Sequence, residues 1–343
     1  MNNVVIVNGL RSPFVKRNKH FKDISAIQLG GQVISGICKQ SKVNPEALYM
    51  GCVYTDGLGQ NPALQMYRES SHLQISAVNI NSVCGSGLES IFLASDSIKA
   101  GRYKTVLAGG TESMSNTSNI DDGLFNKIDN VNMLTEMSLY ESQPDYQLHQ
   151  DISNEYMKKT MSCELNKDFI LPIKTCYGDI YEDMDFPILK KYCFNSDGSA
   201  ILLLMDEEYA KLNGYKPLAR IVGYKTVGVN HFKNKPSLPY TPFLAMTNLL
   251  KDINLSLDEI DDFEINEAFV DVVANTIKLS NIPINKVNRN GGALRIGHPL
   301  SASGPRMILN IISRMMKNDY IKYGLVTLCI GSGMGSAIIL ERI

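Results

Sequence analysis

Cys84 is a thiol placed immediately before a predicted helix. It lies in residues 81–87 (NSVCGSG), where the unpaired amide groups and the positive end of the helix dipole favour a thiolate. The glycines of this turn allow another backbone or a substrate to come close. The pattern is typical of a catalytic nucleophile, and the alternative is a buried thiol at a tight turn.

His298 stands between Gly297 and Pro299 in the glycine-rich residues 290–304. Pro299 restricts the backbone beside the imidazole, and a helix is predicted to follow. A histidine that stands alone is more often structural or exposed, so a catalytic role depends on a partner. A cysteine beside a histidine base is the usual source of an attacking thiolate at neutral pH, which makes Cys84 the expected partner.

Cys329 is a second thiol, at the end of a predicted strand that leads into alternating glycines in residues 329–335 (CIGSGMG). A nucleotide-binding glycine loop is the alternative, but a strand at 337–340 follows and no helix is available to bind a phosphate. A hairpin that carries a thiol fits better. Such a thiol can donate and accept a proton, and the glycine amides can stabilise an oxyanion.

Asn266 is a weaker candidate, in residues 264–269 (EINEAF). A helix cap explains an asparagine at this place, and a charge at a helix start explains the neighbouring Glu267. The segment therefore predicts little on its own.

The elements that must position these side chains are predicted to be buried strands that alternate with helices. Short apolar runs rich in β-branched residues indicate strands buried on both faces. These runs lie at 4–7, 106–108, 200–205, 325–330 and 337–340. Apolar residues between 88 and 98 recur at three-to-four spacing and end at Gly101, which predicts a helix. A layered α/β protein is expected.

The two ends of the chain share one layout. A helix at 86–99 is followed by a strand at 105–108, and a helix at 303–317 is followed by a strand at 325–329. This likeness predicts an internal duplication. A pseudo-twofold axis would then bring the starts of the two helices together, with the thiol and the imidazole that precede them.

Residues 111–192 depart from this layout because they are polar, acidic and irregular. At least one helix is expected near 146–161. Loops of this size are usually functional or flexible, so the sequence predicts an inserted lid.

The overall composition excludes several classes of function. The balance of 34 basic against 35 acidic residues supplies no bulk field for nucleic acid or an anionic membrane. The apolar runs are far shorter than the roughly 18 to 20 residues of a membrane-spanning helix, and the first residues lack a signal-peptide pattern. Seven scattered cysteines argue against a disulfide framework and against structural zinc. A cytoplasmic protein is expected.

Taken together, the four chemical segments resemble the thiolase family. The motifs are Asn-x-x-Cys-x-Ser-Gly at 81–87, Asn-Glu-Ala-Phe at 266–269, Gly-His-Pro at 297–299 and Cys-x-Gly-x-Gly-x-Gly at 329–335. Residues 11–14, 57–62, 108–115 and 219–223 support the same resemblance. The likeness covers most of the first 115 residues and most of the chain from about 219 on.

The resemblance implies a role for each residue. Cys84 would take the acyl group from one thioester while His298 draws off its proton. Cys329 would remove a proton from the α-carbon of acetyl-CoA in synthesis, or return one in cleavage. Asn266 would hold a water that forms one oxyanion hole with His298, and the amides of Cys84 and Gly331 would form the other. Two holes are needed because an enolate and a tetrahedral intermediate develop charge at different oxygens.

The resemblance also implies a fold and a reaction. The fold would be a duplicated, five-layered αβαβα arrangement with an N-terminal half at 1–115, completed by about 193–212, an inserted lid at 116–192 and a C-terminal half at 213–343. The reaction would convert two acetyl-CoA into acetoacetyl-CoA and CoA, in a homodimer or homotetramer. Neither a metal nor a redox cofactor is implied, since CoA thioesters are substrates.

Some positions depart from the family. Its His-Met-Gly lid segment is not recognisable between 116 and 150, and the small-residue stretch before the strand at 200 is shortened to residues 193–198. Met246 aligns with a serine used near coenzyme A, and Ser301 and Ser332 replace common glycines. Met246, Ser301 and Phe269 are the expected substrate contacts. The departures from the family are expected to alter the affinity for substrate or the choice of acyl chain.

Two other functions remain open. A ketoacyl-carrier-protein synthase has the same fold and also pairs cysteine with histidine, but it does not use a second cysteine base such as Cys329. A catalytically weakened, thiolase-like binding or scaffold subunit is suggested by the shortened lid. The presence of all four catalytic residue types favours the enzyme.

Overall fold

The structure, a computed structural model, describes residues 3–71, 75–142, 146–229 and 237–343, without the side chains of residues 147–149. Its strands form at aliphatic and β-branched runs, whose side chains pack well on a buried, pleated surface. The strands are β1 Val4–Arg11, β2 Val15–Lys16, β3 Ala47–Gly51, β4 Ser76–Ile80, β5 Thr105–Ser113, β6 Phe125–Asn126, β7 Val131–Asn132, β8 Ile173–Thr175, β9 Gly178–Ile180, β10 Ser196–Asp206, β11 Ala219–Gly228, β12 Asp262–Ile265, β13 Tyr323–Ile330 and β14 Met334–Glu341.

Local capping defines several helix ends. Ser25 and Gln28 form a capping box at the start of α1, and α7 and α8 end at the left-handed residues Asn254 and Asn281. The helices are α1 Ala26–Ser41, α2 Pro62–Ser70, α3 Ser86–Lys99, α4 Met133–Glu141, α5 Gln147–Ser162, α6 Glu207–Leu212, α7 Thr241–Ile253, α8 Val270–Ser280, α9 Ala293–Ile296 and α10 Leu300–Lys317.

The strand order shows the predicted duplication. The ten-stranded sheet runs β12-β13-β14-β11-β1-β10-β5-β3-β4, with β2 paired to β10. On one side of the β1–β11 pair, β1 pairs antiparallel with β10, β10 antiparallel with β5, and β5 parallel with β3. On the other side, β11 pairs antiparallel with β14, β14 antiparallel with β13, and β13 parallel with β12. Helices α3 and α10 occupy equivalent places, directly before β5 and β13. The prediction of an internal duplication is therefore confirmed.

Helices and sheet stack in five layers. Helix α1 packs on one face of β1, β5 and β10, whereas α3 and α10 pack against the other side of this half. Helix α10 also contacts β12 and β13, and α7 covers β11, β13 and β14 from outside. A central apolar core lies between the halves and includes Leu88, Met307 and Ile338. The predicted αβαβα fold is confirmed.

The two central helices touch at a carbonyl group that a proline leaves free. Pro305 lies inside α10 and has no amide hydrogen, so it cannot donate to the carbonyl of Ser301 one turn earlier. Gly87 of α3 and Gly110 of β5 pack against that oxygen, and a Cβ atom added to either glycine would overlap it. The contact brings the amino-terminal ends of α3 and α10 together, as the duplication predicted.

Two element boundaries differ from the prediction. Helix α10 begins at Leu300, earlier than the expected start at Ser303. Pro299 takes the N-cap position, and the first amides of a helix have no acceptor within the helix, so the first turn can begin directly after the proline. The strand predicted at 200–205 extends over the whole of β10, which is buried along its length. The predicted hairpin is confirmed, since Cys329 on β13 lies opposite Gly335 on β14.

The lid region folds against both halves of the molecule. The helix expected near 146–161 is α5, and residues 143–145 of this region lie outside the described residues. Arg11 of β1 donates two hydrogen bonds of 2.7 Å to the carboxylate of Asp183, and this ion pair is buried. Among the described residues, no helix combines the length and the apolar character that crossing a bilayer requires.

Candidate active site

One cavity of about 500 Å³ contains both predicted thiols and the predicted base. Cys84, His298 and Cys329 lie at its buried end, where they are 2%, 4% and 1% exposed. The mouth is marked by Leu189, which lines the same cavity and is 85% exposed. The tertiary structure therefore brings together residues that are more than two hundred positions apart in the chain.

The walls of the cavity come largely from the lid region. Residues between 121 and 134 form one side, and residues between 186 and 195 form another. Phe186, Tyr192, Phe194 and Phe269 make these walls aromatic. An apolar wall that excludes water strengthens electrostatic interactions at the buried end.

Cys84 is held by a strained turn. Val83 has a φ of +46°, a left-handed conformation that β-branched residues rarely adopt. The hydroxyl of Ser86 donates to the Val83 carbonyl at 2.6 Å and accepts from the Ser82 amide at 2.9 Å. These bonds fix the turn and place the thiol two residues before α3 begins.

The electrostatic surroundings of Cys84 keep its thiol protonated. Burial raises the pKa of Cys84 to about 12. Hydrogen bonds from the backbone amides of Gly331 and of Cys84 itself lower this pKa in part, and negative charge on Glu112 raises it further. These two amides are the pair predicted to form an oxyanion hole. Both donors therefore lie at the Cys84 sulfur.

His298 is oriented from both ring nitrogens. Nδ1 lies 2.6 Å from Oγ of Ser303, and Nε2 lies 3.2 Å from Nδ2 of Asn266. The Ser303 hydroxyl also lies 3.4 Å from the Pro299 carbonyl. When Ser303 donates to that carbonyl it accepts from Nδ1, so Nε2 is left as an acceptor for the Asn266 amide.

The imidazole of His298 is neutral in this site. Burial lowers its pKa to about 3, and the positive charge of Arg306 lowers it further. A neutral imidazole whose Nε2 carries no proton can take one from a thiol as the thiol attacks.

Asn266 follows β12 and is fully buried. Its backbone amide donates to the Thr327 carbonyl at 3.0 Å. Its Oδ1 atom is buried without a hydrogen-bond partner among the described residues, which is uncommon for a buried polar atom. The side chain is therefore directed at His298 with one acceptor unused.

Cys329 is surrounded by groups that oppose its ionisation. Burial raises its pKa well above the ordinary value, and negative charge on Cys84, Glu136 or Cys193, when any of them is ionised, adds to this effect. Glu136 of α4 is buried and accepts from the Ser237 amide at 2.6 Å. Sequence reasoning missed the approach of Glu136 to Cys329, because the lid segment that carries Glu136 matched no recognised motif.

Cys193 is a third thiol in the cavity. Burial raises its pKa, and the charges of Cys84 and Glu267 contribute. The sequence showed it only as part of the shortened stretch before β10. Sequence reasoning missed its place in the same cavity as Cys84 and Cys329.

The three expected substrate contacts have different positions. Phe269 lines the cavity, whereas Met246 and Ser301 are absent from the described residues that line it. Met246 is fully buried in the core between α7 and β14, because its helical face points at the sheet. The Ser301 hydroxyl lies 2.9 Å from the Thr111 carbonyl and 2.8 Å from Glu112. In this structure neither Met246 nor Ser301 is placed to touch a bound substrate.

The chain is similar to known proteins along its whole length. The family descriptions "Thiolase, N-terminal domain" and "Thiolase, C-terminal domain" match residues 4–165 and 215–342. The chain belongs to the thiolase family. This thiolase is 32% identical to an acetyl-CoA acetyltransferase of Allochromatium vinosum, with 99% of each chain covered. It is 30% identical to a probable acetyl-CoA acyltransferase of Staphylococcus aureus N315, with both chains covered completely.

A solved structure is similar along the whole thiolase chain. The crystal structure of the Bacillus anthracis acetyl-CoA acetyltransferase matches with a TM-score of 0.91 and 26% identity, over 100% of this chain and 99% of the other. The alignment with the Allochromatium relative runs over 397 positions, whereas this thiolase has 343 residues. The difference agrees with shortened segments in this chain.

We predict that Glu112 makes the stability of the protein depend on pH. Burial raises its pKa from 4.5 to about 7, against hydrogen bonds from Tyr54, Ser301 and Val53. The folded state therefore binds a proton more tightly than the unfolded state, and this stabilisation is lost as pH rises from about 4.5 through 7. At about 1.4 kcal/mol per pKa unit, the loss is roughly 3 kcal/mol.

Urea unfolding of wild type and Glu112→Gln at several pH values measures this loss. The unfolding free energy of wild type minus that of Glu112→Gln should fall as pH rises. Wild type loses the stabilisation from its bound proton, whereas the glutamine does not titrate. A difference that stays constant from about pH 4.5 to 8 would show that folding does not raise the pKa of Glu112.

Proposed function

We propose that this thiolase is an acetyl-CoA C-acetyltransferase that joins two acetyl-CoA into acetoacetyl-CoA and CoA, or catalyses the reverse cleavage. The observation that supports it is the meeting of Cys84, a neutral His298 and Cys329 at the buried end of one cavity. A relative by sequence and a solved structure of similar fold are both named acetyl-CoA acetyltransferase. We further propose that the enzyme is a cytoplasmic homodimer or homotetramer.

The first half-reaction transfers an acetyl group to Cys84. The sulfur attacks the thioester carbonyl, Nε2 of His298 takes the thiol proton, and the amides of Cys84 and Gly331 stabilise the oxyanion. When the intermediate collapses, the proton returns to the leaving CoA sulfur. The raised pKa of Cys84 and the lowered pKa of His298 disfavour an ion pair before substrate binds, so the proton moves as the new bond to sulfur forms.

The second half-reaction forms the carbon–carbon bond. Cys329 passes its thiol proton to Nε2 of His298 and, as the thiolate, removes a proton from the α-carbon of a second acetyl-CoA. The enolate oxygen is stabilised on the side of Asn266 and His298. The enolate carbon attacks the acetyl group on Cys84, and the departing Cys84 sulfur takes the proton held by His298, which leaves both thiols protonated and the imidazole neutral. A thiolate whose pKa is raised, as that of Cys329 is, is a stronger base and suits the removal of a weakly acidic proton.

We predict that cleavage of acetoacetyl-CoA by free CoA depends on Cys84. Loss of the acetoacetyl-CoA absorbance should be rapid for wild type and reduced at least about a hundredfold for Cys84→Ser, because a serine hydroxyl is a much weaker nucleophile. Cys38→Ser is the control, since Cys38 lies on α1 away from the cavity. Equal rates for wild type and Cys84→Ser would refute the nucleophile. An inactive wild type would instead favour the binding or scaffold subunit.

We predict that Cys329→Ala separates the two half-reactions. Cys84 should still become acetylated by acetyl-CoA, because its base His298 is intact, but condensation should stop for lack of a second base. Intact-protein mass spectrometry reports the adduct, and product formation reports condensation. A variant without the adduct, or one that still condenses, would contradict this division of roles.

The cavity mouth has two cations suited to the phosphates of coenzyme A. The Lys16 ammonium lies 4.9 Å from the ring centre of Phe186 and 5.5 Å from that of Phe194. The Lys190 ammonium donates to the Tyr192 hydroxyl at 2.7 Å. Both lysines line the cavity. Within the described part of the chain, neither forms an ion pair with a carboxylate.

We predict that Lys16→Ala with Lys190→Ala raises KM for acetoacetyl-CoA about tenfold and leaves kcat nearly unchanged, because uniform binding is lost. With the N-acetylcysteamine thioester, which lacks phosphates, the variant and wild type should behave alike. Lys39→Ala with Lys42→Ala, on the exposed end of α1, is the matched charge control. Equal losses with both thioesters would show that the lysines support the cavity wall and do not bind phosphate.

A further inference from the structure

Helix α5 of the lid region reaches the catalytic layer through buried polar groups. Tyr156 is fully buried, and its hydroxyl donates to Oε1 of Glu267. Thr160, one turn later, donates to the same oxygen at 3.4 Å. Hydrogen bonds to a carboxylate are stronger and more directional than those between neutral groups. The lid helix is therefore attached to the residue next to Asn266.

The backbone is fixed on both sides of Asn266. The Asn288 side chain accepts from the amide of Ile265 at 2.8 Å and donates to the carbonyl of Ile265 at 2.8 Å. The same side-chain nitrogen donates to the Tyr156 hydroxyl at 2.6 Å. Tyr156 thus links the anchor before Asn266 with the anchor after it.

The carboxylate of Glu267 also holds the chain that leads to His298. Its Oε2 atom accepts from the Leu294 amide at 2.9 Å, and Leu294 belongs to the short helix α9 that precedes His298. Asn266 and His298 then meet at 3.2 Å. One buried carboxylate connects the two catalytic turns, and the lid helix supplies two of its hydrogen bonds.

We infer that Tyr156 is a positioning residue that fixes Asn266 against His298, so that the oxyanion site of the condensation step depends on the docked lid helix. This inference rests on the proposed function. Tyr156 does not line the cavity, so it acts through Glu267 and not by contact with substrate. Small displacements of a positioned group are costly in catalysis, because the hydrogen bond must match the transition state.

The test compares two tyrosines of the lid region. Each donates its hydroxyl to a buried carboxylate, which is Glu267 just before helix α8 for one and Asp271 in its first turn for the other. Tyr156→Phe removes one hydroxyl and leaves Glu267 with its bonds to Thr160 and Leu294. Tyr146→Phe is the matched control, because the Tyr146 hydroxyl donates to the buried carboxylate of Asp271 at 3.0 Å, away from Asn266. Thr160→Val is a second variant in case the first does not fold.

Three measurements are made on each full-length protein: acetylation of Cys84 by acetyl-CoA, steady-state condensation, and urea unfolding. We expect Tyr156→Phe to lower kcat of condensation about tenfold, with KM and the acetylation rate within about twofold of wild type. Thr160→Val should give a smaller loss of the same kind, because its bond is longer. Tyr146→Phe should lower the unfolding free energy to a similar extent without lowering kcat.

The outcomes are distinguishable. An active wild type in which Tyr156→Phe and Tyr146→Phe have the same kcat would overturn the positioning role while leaving the proposed function intact. Equal losses in acetylation and condensation for Tyr156→Phe would also overturn it, since that result indicates a general disturbance of the site. An inactive wild type would overturn the proposed function and this inference together.

Discussion

The active site depends on the contact between the amino-terminal ends of α3 and α10. Pro305 leaves the Ser301 carbonyl without its helical donor, and Gly87 and Gly110 are small enough to pack against that oxygen. Weak contacts between Cα–H groups and a carbonyl recur where helices approach this closely. A side chain at either glycine would separate the helices and, with them, the turn that carries Cys84 from the turn that carries His298.

Burial then determines the resting state of the chemical groups. The thiols of Cys84 and Cys329 have raised pKa values, and the imidazole of His298 has a lowered one. A low-dielectric site thus holds neutral groups before substrate arrives, because isolated charges there are costly. In the proposed mechanism, the amides and the Asn266 side chain are oriented in advance for charge that develops only during reaction, as electrostatic catalysis requires.

The lid region is shortened relative to the family pattern, yet it is firmly attached. Buried hydrogen bonds join Tyr156 to Glu267 and Tyr146 to Asp271, and the ion pair of Arg11 with Asp183 joins the second part of the lid to β1. Breaking such buried groups leaves an unsatisfied polar atom, which costs more than an exposed bond is worth. The lid therefore both walls the cavity and supports the catalytic turns.

The sequence by itself determined the residue types of the site, the alternation of buried strands and helices, and the duplication, because these follow from local periodicity and from turns built with glycine and proline. It also indicated that Cys84 and His298 each precede the start of a helix. Only the tertiary structure decided which distant side chains share the cavity. Cys193, Lys16 and Lys190 line the cavity, whereas Met246 and Ser301 are buried elsewhere. Such membership depends on how separate layers pack, and residue spacing within one segment carries no record of that packing.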